Sequence, residues 1–416
     1  MVESVTGVPG SAQDRKSMKA IWVTRSFLDY RIPVFRELHD RLNGRFAIFF
    51  NADYVPDRCR RKAEKALGRA ARGLRGESAF TLGSPTGFAN KGVRIPYQRG
   101  LIRAIRKEKP DVVISDGFFQ WTYAALWLRA TRHIPHVMCY EKTSHTERRA
   151  QWYRRAYRKL VMRWIDAVCC NGKLCGEYTQ SLGFPSDRIT YGHMAADVKT
   201  LAEKSGQVTE QQIQQRRSEL GLFGVVFLYV GQIIPRKGVV QLLEAWRIFS
   251  REAGKTQCSL LLVGGGSQEA ECRAYCAEND LDNVRFVGTI DYDLLPIYYR
   301  CADVFVIPTL EDNWSLVVPE AMACGLPILC SKYNGCWPEL VKPENGWVFD
   351  PLDVEETVNT LRLCLTKRQS LQSMGEASRH IVENHTASQA ADAIMEACSI
   401  AISSCERSRC STLGTH

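Results

Sequence analysis

The sequence predicts an α/β protein made of two successive Rossmann-like domains that face each other across a cleft. Short apolar strand patterns alternate with helical patterns over most of the chain, which is typical of parallel sheets with helices on both faces. The alternation stops in a polar, glutamine-rich stretch and then restarts. The length of 416 residues also exceeds the roughly 250–300 residues at which a single hydrophobic core stops growing.

The first half begins with a polar leader at 1–18 that lacks the apolar core of a secretory signal. We expect this leader to be disordered. Apolar runs that are too short for helices predict strands, and longer amphipathic patterns predict helices. The predicted strands lie at 19–24, 46–50, 111–115, 135–140 and 166–170, and the predicted helices at 33–42, 101–107, 121–129, 147–164 and 173–182.

The second half repeats the alternation after the polar stretch. Its predicted strands lie at 225–231, 259–263, 284–287, 304–308 and 327–330, and its predicted helices at 238–252, 268–279, 294–300 and 319–324. The resulting plan has an N-terminal domain at 19–200, a linker at 201–222, a C-terminal domain at 223–385, a C-terminal helix at 386–404 and a loose tail at 405–416.

Charge divides between the two halves. Residues 1–200 carry 36 basic and 18 acidic side chains, a net charge of +18. Residues 201–416 carry 19 basic and 27 acidic side chains, a net charge of −8, which gives +10 for the whole chain. Eight Lys and Arg lie at 58–75, and seven lie at 148–163 with aromatic residues among them. Such segments suit an anionic membrane surface, and a solvated basic face remains the alternative. No motif indicates a nucleic-acid partner.

Several other classes of protein are excluded. The longest apolar runs, such as 224–230, are far shorter than the ~20 residues that span a bilayer. The sixteen cysteines form no CxxC pair, and we expect reduced, mostly buried thiols. The glycine run at 264–266 fails the dinucleotide pattern because Glu269 stands at its sixth position. Asp291 and Asp293 resemble a metal motif, but Asp291 is expected to cap a helix.

The segment 308–327 carries the clearest chemistry. Asp312 lies in a polar loop after a strand, and Glu320 lies in the first turn of a helix. The intervening backbone N–H groups near Ser315 and Leu316 suit an anion. Carboxylates on either side of a phosphate suit a nucleotide sugar. The structural alternative is that Glu320 complements its helix dipole and Asp312 caps a turn.

This segment resembles the Glu-x7-Glu signature of retaining GT-B glycosyltransferases of family 4, the group 1 glycosyltransferases. The resemblance covers the second half of the chain through an ordered set of motifs. They are 230–238 (VGQIIPRKG), 262–266 (LVGGG), 286–288 (FVG), 302–304 (ADV) and 320–325 (EAMACG). The segments 30–33 (YRIP) and 140–145 (YEKTSH) look like those of bacterial polysaccharide-assembly members.

The resemblance implies roles for residues that bind the donor. Glu320 matches the carboxylate that contacts the donor ribose, and Lys237 matches the lysine that binds the diphosphate. Asp312, with Glu311 beside it, stands where a Glu holds hydroxyls of the donor sugar. Because Asp is one methylene shorter, Asn313 is the alternative for that contact.

Other donor-side positions depart from the family or carry no side-chain signature. Gln232 replaces the usual diphosphate arginine, and Arg236 is the candidate to compensate for the missing charge. Gly264 and Gly266 are expected to allow close approach of the ligand. The nucleotide base is expected to contact the backbone around Val287 and Gly288.

On the acceptor side, Glu141 and His145 follow a strand and are expected to face the cleft. The resemblance places Glu141 near a position where many relatives carry a His. Either residue is a candidate to orient the acceptor hydroxyl or to take its proton. Asp116 and Arg31 are further candidates for acceptor contacts.

These observations predict a glycosyltransferase that moves a sugar from a nucleotide-sugar donor to a glycan or lipid-linked acceptor in polysaccharide or glycoconjugate biosynthesis. Retention of configuration and the absence of a required metal or other cofactor are implied by the resemblance. The expected location is the cytoplasm, including the inner face of the membrane. The alternatives are a nucleotide-sugar epimerase of the same fold and a non-catalytic subunit that binds sugar nucleotides.

Overall fold

The structure is a computed structural model that describes residues 18–82, 93–254 and 256–413. It has two lobes, each built on a parallel sheet. The elements of the N-terminal lobe are β1 (Ala20–Thr24), α1 (Arg31–Arg41), β2 (Phe46–Asn51), α2 (Asp57–Leu67), β3 (Ala71–Leu74), β4 (Ser78–Leu82), β5 (Val93–Tyr97), α3 (Leu101–Lys107), β6 (Val112–Asp116), α4 (Thr122–Arg132), β7 (His136–Tyr140), α5 (Trp152–Val161), β8 (Ala167–Cys170), α6 (Lys173–Ser181) and β9 (Ile189–Tyr191).

The N-terminal sheet has seven strands in the order β3-β2-β1-β6-β7-β8-β9. Side chains of β1 alternate between two layers of core, as the period of a strand requires. Trp22 packs in the cluster that includes α1, whereas Ile21 and Val23 pack in the cluster that includes α3 and α4. Both faces of the sheet are therefore covered by helices. The strands β4 and β5 form a separate antiparallel hairpin.

The C-terminal lobe begins after two connecting helices. Its elements and those helices are α7 (Val198–Gly206), α8 (Glu210–Glu219), β10 (Val225–Val230), α9 (Val239–Ala253), β11 (Cys258–Val263), α10 (Glu269–Glu278), β12 (Val284–Gly288), α11 (Leu295–Arg300), β13 (Val304–Ile307), α12 (Val317–Ala323), β14 (Ile328–Ser331), α13 (Trp337–Leu340), β15 (Gly346–Phe349), α14 (Val354–Thr366), α15 (Leu371–Val382) and α16 (Ala387–Leu413). Its six-stranded sheet has the order β12-β11-β10-β13-β14-β15. Two parallel sheets confirm the predicted α/β class.

The segment 201–222, which was predicted as a linker, is largely helical, because α7 and α8 occupy most of it. Thr209 and Gln212 form a capping box at the start of α8, and such a reciprocal pair satisfies two backbone N–H groups that a helix start leaves open. The side chain of Ile213 is the buried position of this helix. A single buried apolar residue gives little periodicity, which explains why the sequence predicted a polar linker.

The C-terminal helix α16 is longer than predicted and returns to the N-terminal lobe. Its small and apolar side chains, including Ile394 and Ala397, join the same core cluster as Trp22 of β1. The helix continues through residue 413, so the prediction of a loose tail from 405 is wrong for residues 405–413. The thiol of Cys405 donates to the carbonyl of His133 at 3.2 Å, which fixes this part of the helix against the lobe.

Smaller differences concern the edges of predicted elements. Met18 is buried in the N-terminal core, so the predicted leader extends one residue too far, and its residues 1–17 lie outside the described part of the chain. The predicted helix at 147–164 begins only at Trp152. Among the described residues, no helix has both the length and the apolar character needed to cross a membrane.

Candidate active site

A cavity of about 450 Å³ lies at the carboxyl edge of the N-terminal sheet, where open α/β sheets commonly bind ligands. Segments that follow β1, β6 and β7 form most of its wall, and Glu311 contributes from the C-terminal lobe. The lining includes the predicted acceptor-side residues Arg31, Asp116 and Glu141. The cavity therefore collects residues that are far apart in the sequence.

Arg31 is buried at the base of this cavity and holds two other polar groups. Its Nη1 lies 3.0 Å from Nδ1 of His193, and its Nη2 lies 3.6 Å from Oδ1 of Asp116. The Nε2 atom of His193 lies 2.9 Å from the carbonyl of Tyr140. Burial, together with the Arg31 charge, lowers the pKa of His193 to about 3. His193 is therefore neutral, accepts from Arg31 and donates to Tyr140.

Sequence reasoning missed His193, which lies in the loop after the short strand β9. No local pattern marks this residue, because its partner Arg31 is 162 positions away. A histidine that follows a strand at the carboxyl edge of a parallel sheet is the one signal that the sequence carried.

The loop after β7 places its two candidate residues differently. Glu141 lines the cavity, as predicted. The ring of His145 instead stacks on that of Tyr333 with centroids 4.4 Å apart, and its Nε2 donates to the carbonyl of Leu310 at 2.9 Å. Burial lowers the pKa of His145. His145 thus contacts the C-terminal lobe and does not line the cavity, and its role as an acid or base stays a prediction.

On the C-terminal lobe, Lys237, Asp312 and Ser315 form one cluster. Lys237 ends a short turn after β10, and its ammonium forms a salt bridge with Asp312, which follows β13. The Ser315 hydroxyl donates to Oδ2 of Asp312 at 2.6 Å, and the N–H of Trp314 donates to Oδ1 at 3.2 Å. Burial alone raises the pKa of Asp312, but Lys237 and Ser315 outweigh it and hold the pKa below its ordinary value.

Glu320 lies in the first turn of α12 and is buried. Each of its carboxylate oxygens accepts a hydrogen bond from a tyrosine, Tyr292 and Tyr299, at 3.1 Å. Burial raises the pKa of Glu320 to about 7, although the two hydroxyls act in the opposite direction. The two tyrosines were not identified from the sequence. Asp291, which precedes Tyr292, caps its turn by accepting from the N–H of Asp293, as predicted.

Arg236 and Glu311 organise the loop that faces the N-terminal lobe. The carbonyl of Arg236 accepts from the N–H groups of Leu310 and Glu311. Its guanidinium lies 3.5 Å from the carbonyl of Glu311, and its charge helps to lower the pKa of Asp312, the partner of Lys237. The Glu311 carboxylate forms a salt bridge of 3.0 Å with Arg148 of the other lobe.

Asn313 and Leu316 complete this loop. The carbonyl of Asn313 accepts from the Asn171 side chain at 3.0 Å, which makes a further contact between the lobes. Leu316 stands at the start of α12, and its carbonyl accepts from the N–H of Glu320.

The glycine loop after β11 lies directly against the loop after β10. Gly264 has φ of +131°, and a Cβ there would lie 1.9 Å from the carbonyl oxygen of Gly231. A Cβ on Gly266 would lie 2.4 Å from the carbonyl oxygen of Ile233. These glycines thus permit two backbone segments to touch, a role separate from the ligand approach that the sequence predicted.

Gln232 is exposed at this same edge of the C-terminal sheet. Val287 and Gly288 end β12, which pairs with β11, and the N–H of Gly264 donates to the carbonyl of Gly288 at 2.8 Å. The structure therefore brings the predicted donor-side loops together. Within residues 18–82, 93–254 and 256–413, no group of three or more His, Cys, Asp and Glu is arranged to hold a metal ion.

Comparison with known proteins agrees with this two-lobed geometry. The family model for glycosyl transferases group 1 matches residues 210–381, and the model for glycosyltransferase family 4 matches residues 54–199. The O-antigen chain mannosyltransferase B of Escherichia coli is 32% identical over 181 residues, which are 43% of this chain and 46% of that protein. The sulfoquinovosyl transferase SQD2 of Arabidopsis thaliana is 37% identical over 103 residues, 24% of this chain and 20% of that protein.

The matches span less than half of these curated relatives. A solved structure, that of Anabaena Alr3699/HepE in complex with UDP, superimposes with a TM-score of 0.68 at 15% identity and covers 96% of this chain and 100% of that one. The fold is thus GT-B, with two Rossmann-like lobes, as predicted. Since the two family models match consecutive parts of the chain, one in each lobe, the protein belongs to the group 1 glycosyltransferases.

Proposed function

We propose that the protein transfers a sugar from a nucleotide-sugar donor to an acceptor hydroxyl in polysaccharide or glycoconjugate biosynthesis. The observation that carries this proposal is the cluster of Lys237, Asp312 and Ser315, which adjoins Glu311 at the wall of the interlobe cavity. A positioned ammonium at the carboxyl edge of the C-terminal sheet suits a diphosphate. The similarity to an O-antigen chain mannosyltransferase supports a glycan-building role.

The cluster stabilises the departure of the nucleoside diphosphate from the donor sugar. When the bond between sugar and diphosphate breaks, negative charge develops on the leaving oxygen, and fixed positive groups nearby stabilise it. Lys237 supplies this charge, and the salt bridge with Asp312 fixes the direction of its flexible side chain. When the donor binds, Glu320 accepts hydrogen bonds from the ribose hydroxyls. These replace hydrogen bonds that it accepts from Tyr292 and Tyr299 in the free protein.

The acceptor occupies the cavity of the N-terminal lobe in this proposal. Glu141 lines that cavity and is the candidate to orient the acceptor hydroxyl. Arg31 and Asp116 bind the acceptor from the base of the cavity. We further propose retention of anomeric configuration, independence of added metal, and peripheral association with anionic membranes through the basic N-terminal lobe.

A donor-turnover assay tests the proposal. The wild-type protein is incubated with a panel of UDP- and GDP-sugars, with and without EDTA, and nucleotide release is measured. Lys237→Ala should lower turnover by about 100-fold or more, the loss expected when one group that stabilises developing charge is removed. Lys19→Ala, which breaks a salt bridge with Glu108 at the opposite edge of the N-terminal sheet, should leave turnover unchanged.

The other outcomes identify the alternatives. Release from no donor would favour a non-catalytic subunit, and isomerised donor without acceptor would favour an epimerase. NMR of the glycoside product determines whether the configuration is retained.

A further inference from the structure

A second cavity, of about 320 Å³, opens beside the first in the N-terminal lobe. It lies between the hairpin strand β5, the segment after β6, and the helices α4 and α5. Its wall consists mainly of apolar and aromatic side chains, namely Ile95, Pro96, Phe118, Phe119, Tyr123, Tyr153 and Tyr157. The two cavities share Phe118, Phe119, Gln120 and Arg154, so they are continuous parts of one surface.

The second cavity offers few groups that form hydrogen bonds. The Phe119 ring stacks on that of Tyr157 with centroids 5.2 Å apart. The hydroxyl of Tyr123 already accepts from the N–H of Gln98 at 2.9 Å and faces its carbonyl at 3.3 Å. A sugar ring needs several hydrogen-bonding partners, whereas an alkyl chain needs only apolar surface. The lining therefore favours an alkyl occupant.

Positive charge lies where the two cavities meet. The guanidinium of Arg154 lies 5.5 Å from the centroid of Phe119, one of the side chains that both cavities share. Lys142 and Arg149 line the larger cavity and form no salt bridge among the residues that the structure describes. Arg154, which both cavities share, and the two basic side chains of the larger cavity complement a phosphate group.

Four carboxylates line the larger cavity; three have a basic partner, and Glu141 alone forms no salt bridge among the described residues. Asp116 lies beside Arg31, and Glu311 pairs with Arg148. Glu147 likewise pairs with Arg158 at 2.6 Å. The junction thus has polar, cationic surface on one side and aromatic surface on the other, which matches an amphiphile with a phosphate between its sugar and its chain.

We propose that the smaller cavity binds the first part of an isoprenoid or alkyl chain that is linked through phosphate to the acceptor sugar in the larger cavity. This inference rests on the proposed function and narrows its acceptor to a lipid-linked one. The phosphate lies beside Arg154, and the chain leaves past Ile95, whose side chain is exposed at the rim.

Binding of farnesyl diphosphate to the full chain, with inorganic diphosphate as the chain-free probe, tests this inference by calorimetry. Farnesyl diphosphate should bind wild-type protein at least tenfold more tightly, a difference of about 1.4 kcal/mol. Ile95→Asp and Tyr153→Asp each place a charge in the wall of the cavity. Both should reduce this preference below threefold and leave the affinity for inorganic diphosphate unchanged.

Each variant has a matched control. Phe80 pairs directly across the hairpin from Ile95, and Trp152 precedes Tyr153. Both are exposed, and neither lines the cavity. Phe80→Asp and Trp152→Asp should therefore keep the tenfold preference. Thermal denaturation confirms that the four variants remain folded, as the exposure of all four side chains predicts.

Two results would overturn the inference. The first is equal affinity of wild-type protein for the two probes. The second is an equal loss of preference in the cavity variants and their controls, which would identify the face as a general contact with lipid. Lys237→Ala, which tests donor turnover, should weaken binding of inorganic diphosphate at the donor site and still bind farnesyl diphosphate at least tenfold more tightly, so that failure of the proposed function and failure of this inference give different results.

Discussion

Individual side chains in the donor lobe are held in charge states that depend on their burial. Glu320 is buried between two tyrosine hydroxyls without a basic partner, and its pKa rises to about 7. The side chain of Asp312 is also largely buried, but Lys237 holds the pKa of this carboxyl below its ordinary value. Two carboxylates eight positions apart thus differ in charge near neutral pH because only one has a cation beside it.

The raised pKa of Glu320 predicts a dependence of stability on pH. Because its folded pKa exceeds its unfolded value of about 4.3, the folded state favours the protonated form, and this stability is lost as pH rises from about 4.3 to about 7. Glu320→Gln removes the titrating carboxyl, so the free energy of unfolding of this variant should lack this dependence on pH. Relative to that variant, wild-type protein should lose about 3 kcal/mol of unfolding free energy between pH 4.5 and pH 8. Urea denaturation at both pH values measures it, and parallel curves would contradict the prediction.

The salt bridge of Lys237 with Asp312 predicts a second effect. Lys237→Ala leaves a buried carboxylate without its cation, which should cost about 3 kcal/mol of unfolding free energy. Adding Asp312→Asn should recover at least about 1 kcal/mol, because the unpaired charge is then absent. The same cycle on the exposed pair of Lys204 and Asp293 should give a much smaller coupling energy, because solvent screens an exposed pair. Denaturation of the single and double variants supplies both values, and equal coupling would count against the prediction.

At the scale of elements, two loops at the carboxyl edge of the C-terminal sheet pack against each other through their backbones. The loop after β10 carries Gly231, and the loop after β11 carries Gly264 at a positive φ. Hydrogen bonds from Ile233 to the carbonyl of Gly265 and from Gly264 to that of Gly288 link these loops to each other and to β12. The position of Lys237, which follows the first loop, depends on this packing.

Gly264→Ala should therefore disturb the fold and the site together. The new Cβ would meet the carbonyl of Gly231, and φ of +131° strains any residue with a side chain, so we expect a loss of about 3 kcal/mol. Gly206→Ala adds the same methyl group at the end of α7, where nothing lies within 4 Å. That control should change stability by less than about 1 kcal/mol. Thermal denaturation with donor turnover measures both effects, and similar behaviour of the two variants would argue against the loop packing.

At the scale of the whole molecule, the two halves of the chain differ in net charge, and their lobes contact each other near the carboxyl edges of the two sheets. The N-terminal half carries +18 and the other half −8. His145, Arg148 and Asn171 of one lobe contact the loop at 310–313 of the other. Under the proposed function, diphosphate binding in the acidic half would rely on local groups such as Lys237, whereas the basic half provides a broad positive surface.

This separation predicts that salt weakens membrane association more than nucleotide binding. Raising NaCl from 50 to 500 mM shortens the screening length to a few ångströms. Sedimentation with vesicles that contain anionic lipid should then show at least a tenfold loss of binding, while nucleotide affinity by calorimetry should fall less than threefold. Charge reversal of Arg155 and Lys159, which are exposed on α5, should lower vesicle binding at low salt. Equal salt sensitivity in the two assays would refute the division between lobes.

The sequence by itself determined the class of fold and most of the donor-side loops. Strand and helix periods, together with the ordered motifs around Lys237 and Glu320, are local properties of the chain, so they can be read without tertiary information. The same reading predicted a linker at 201–222 and a loose tail from 405. Helices formed there because a capping box and contacts with the distant N-terminal sheet stabilise them.

Only the tertiary structure decided which side chains meet. His193 reaches Arg31 across 162 positions, and His145 turns towards Leu310 rather than the cavity. The smaller, apolar cavity lies between a hairpin strand and α5, and no pattern in either segment predicted that contact. Such arrangements depend on long-range packing, because the free energy of burying each side chain is set by neighbours that the local sequence does not specify.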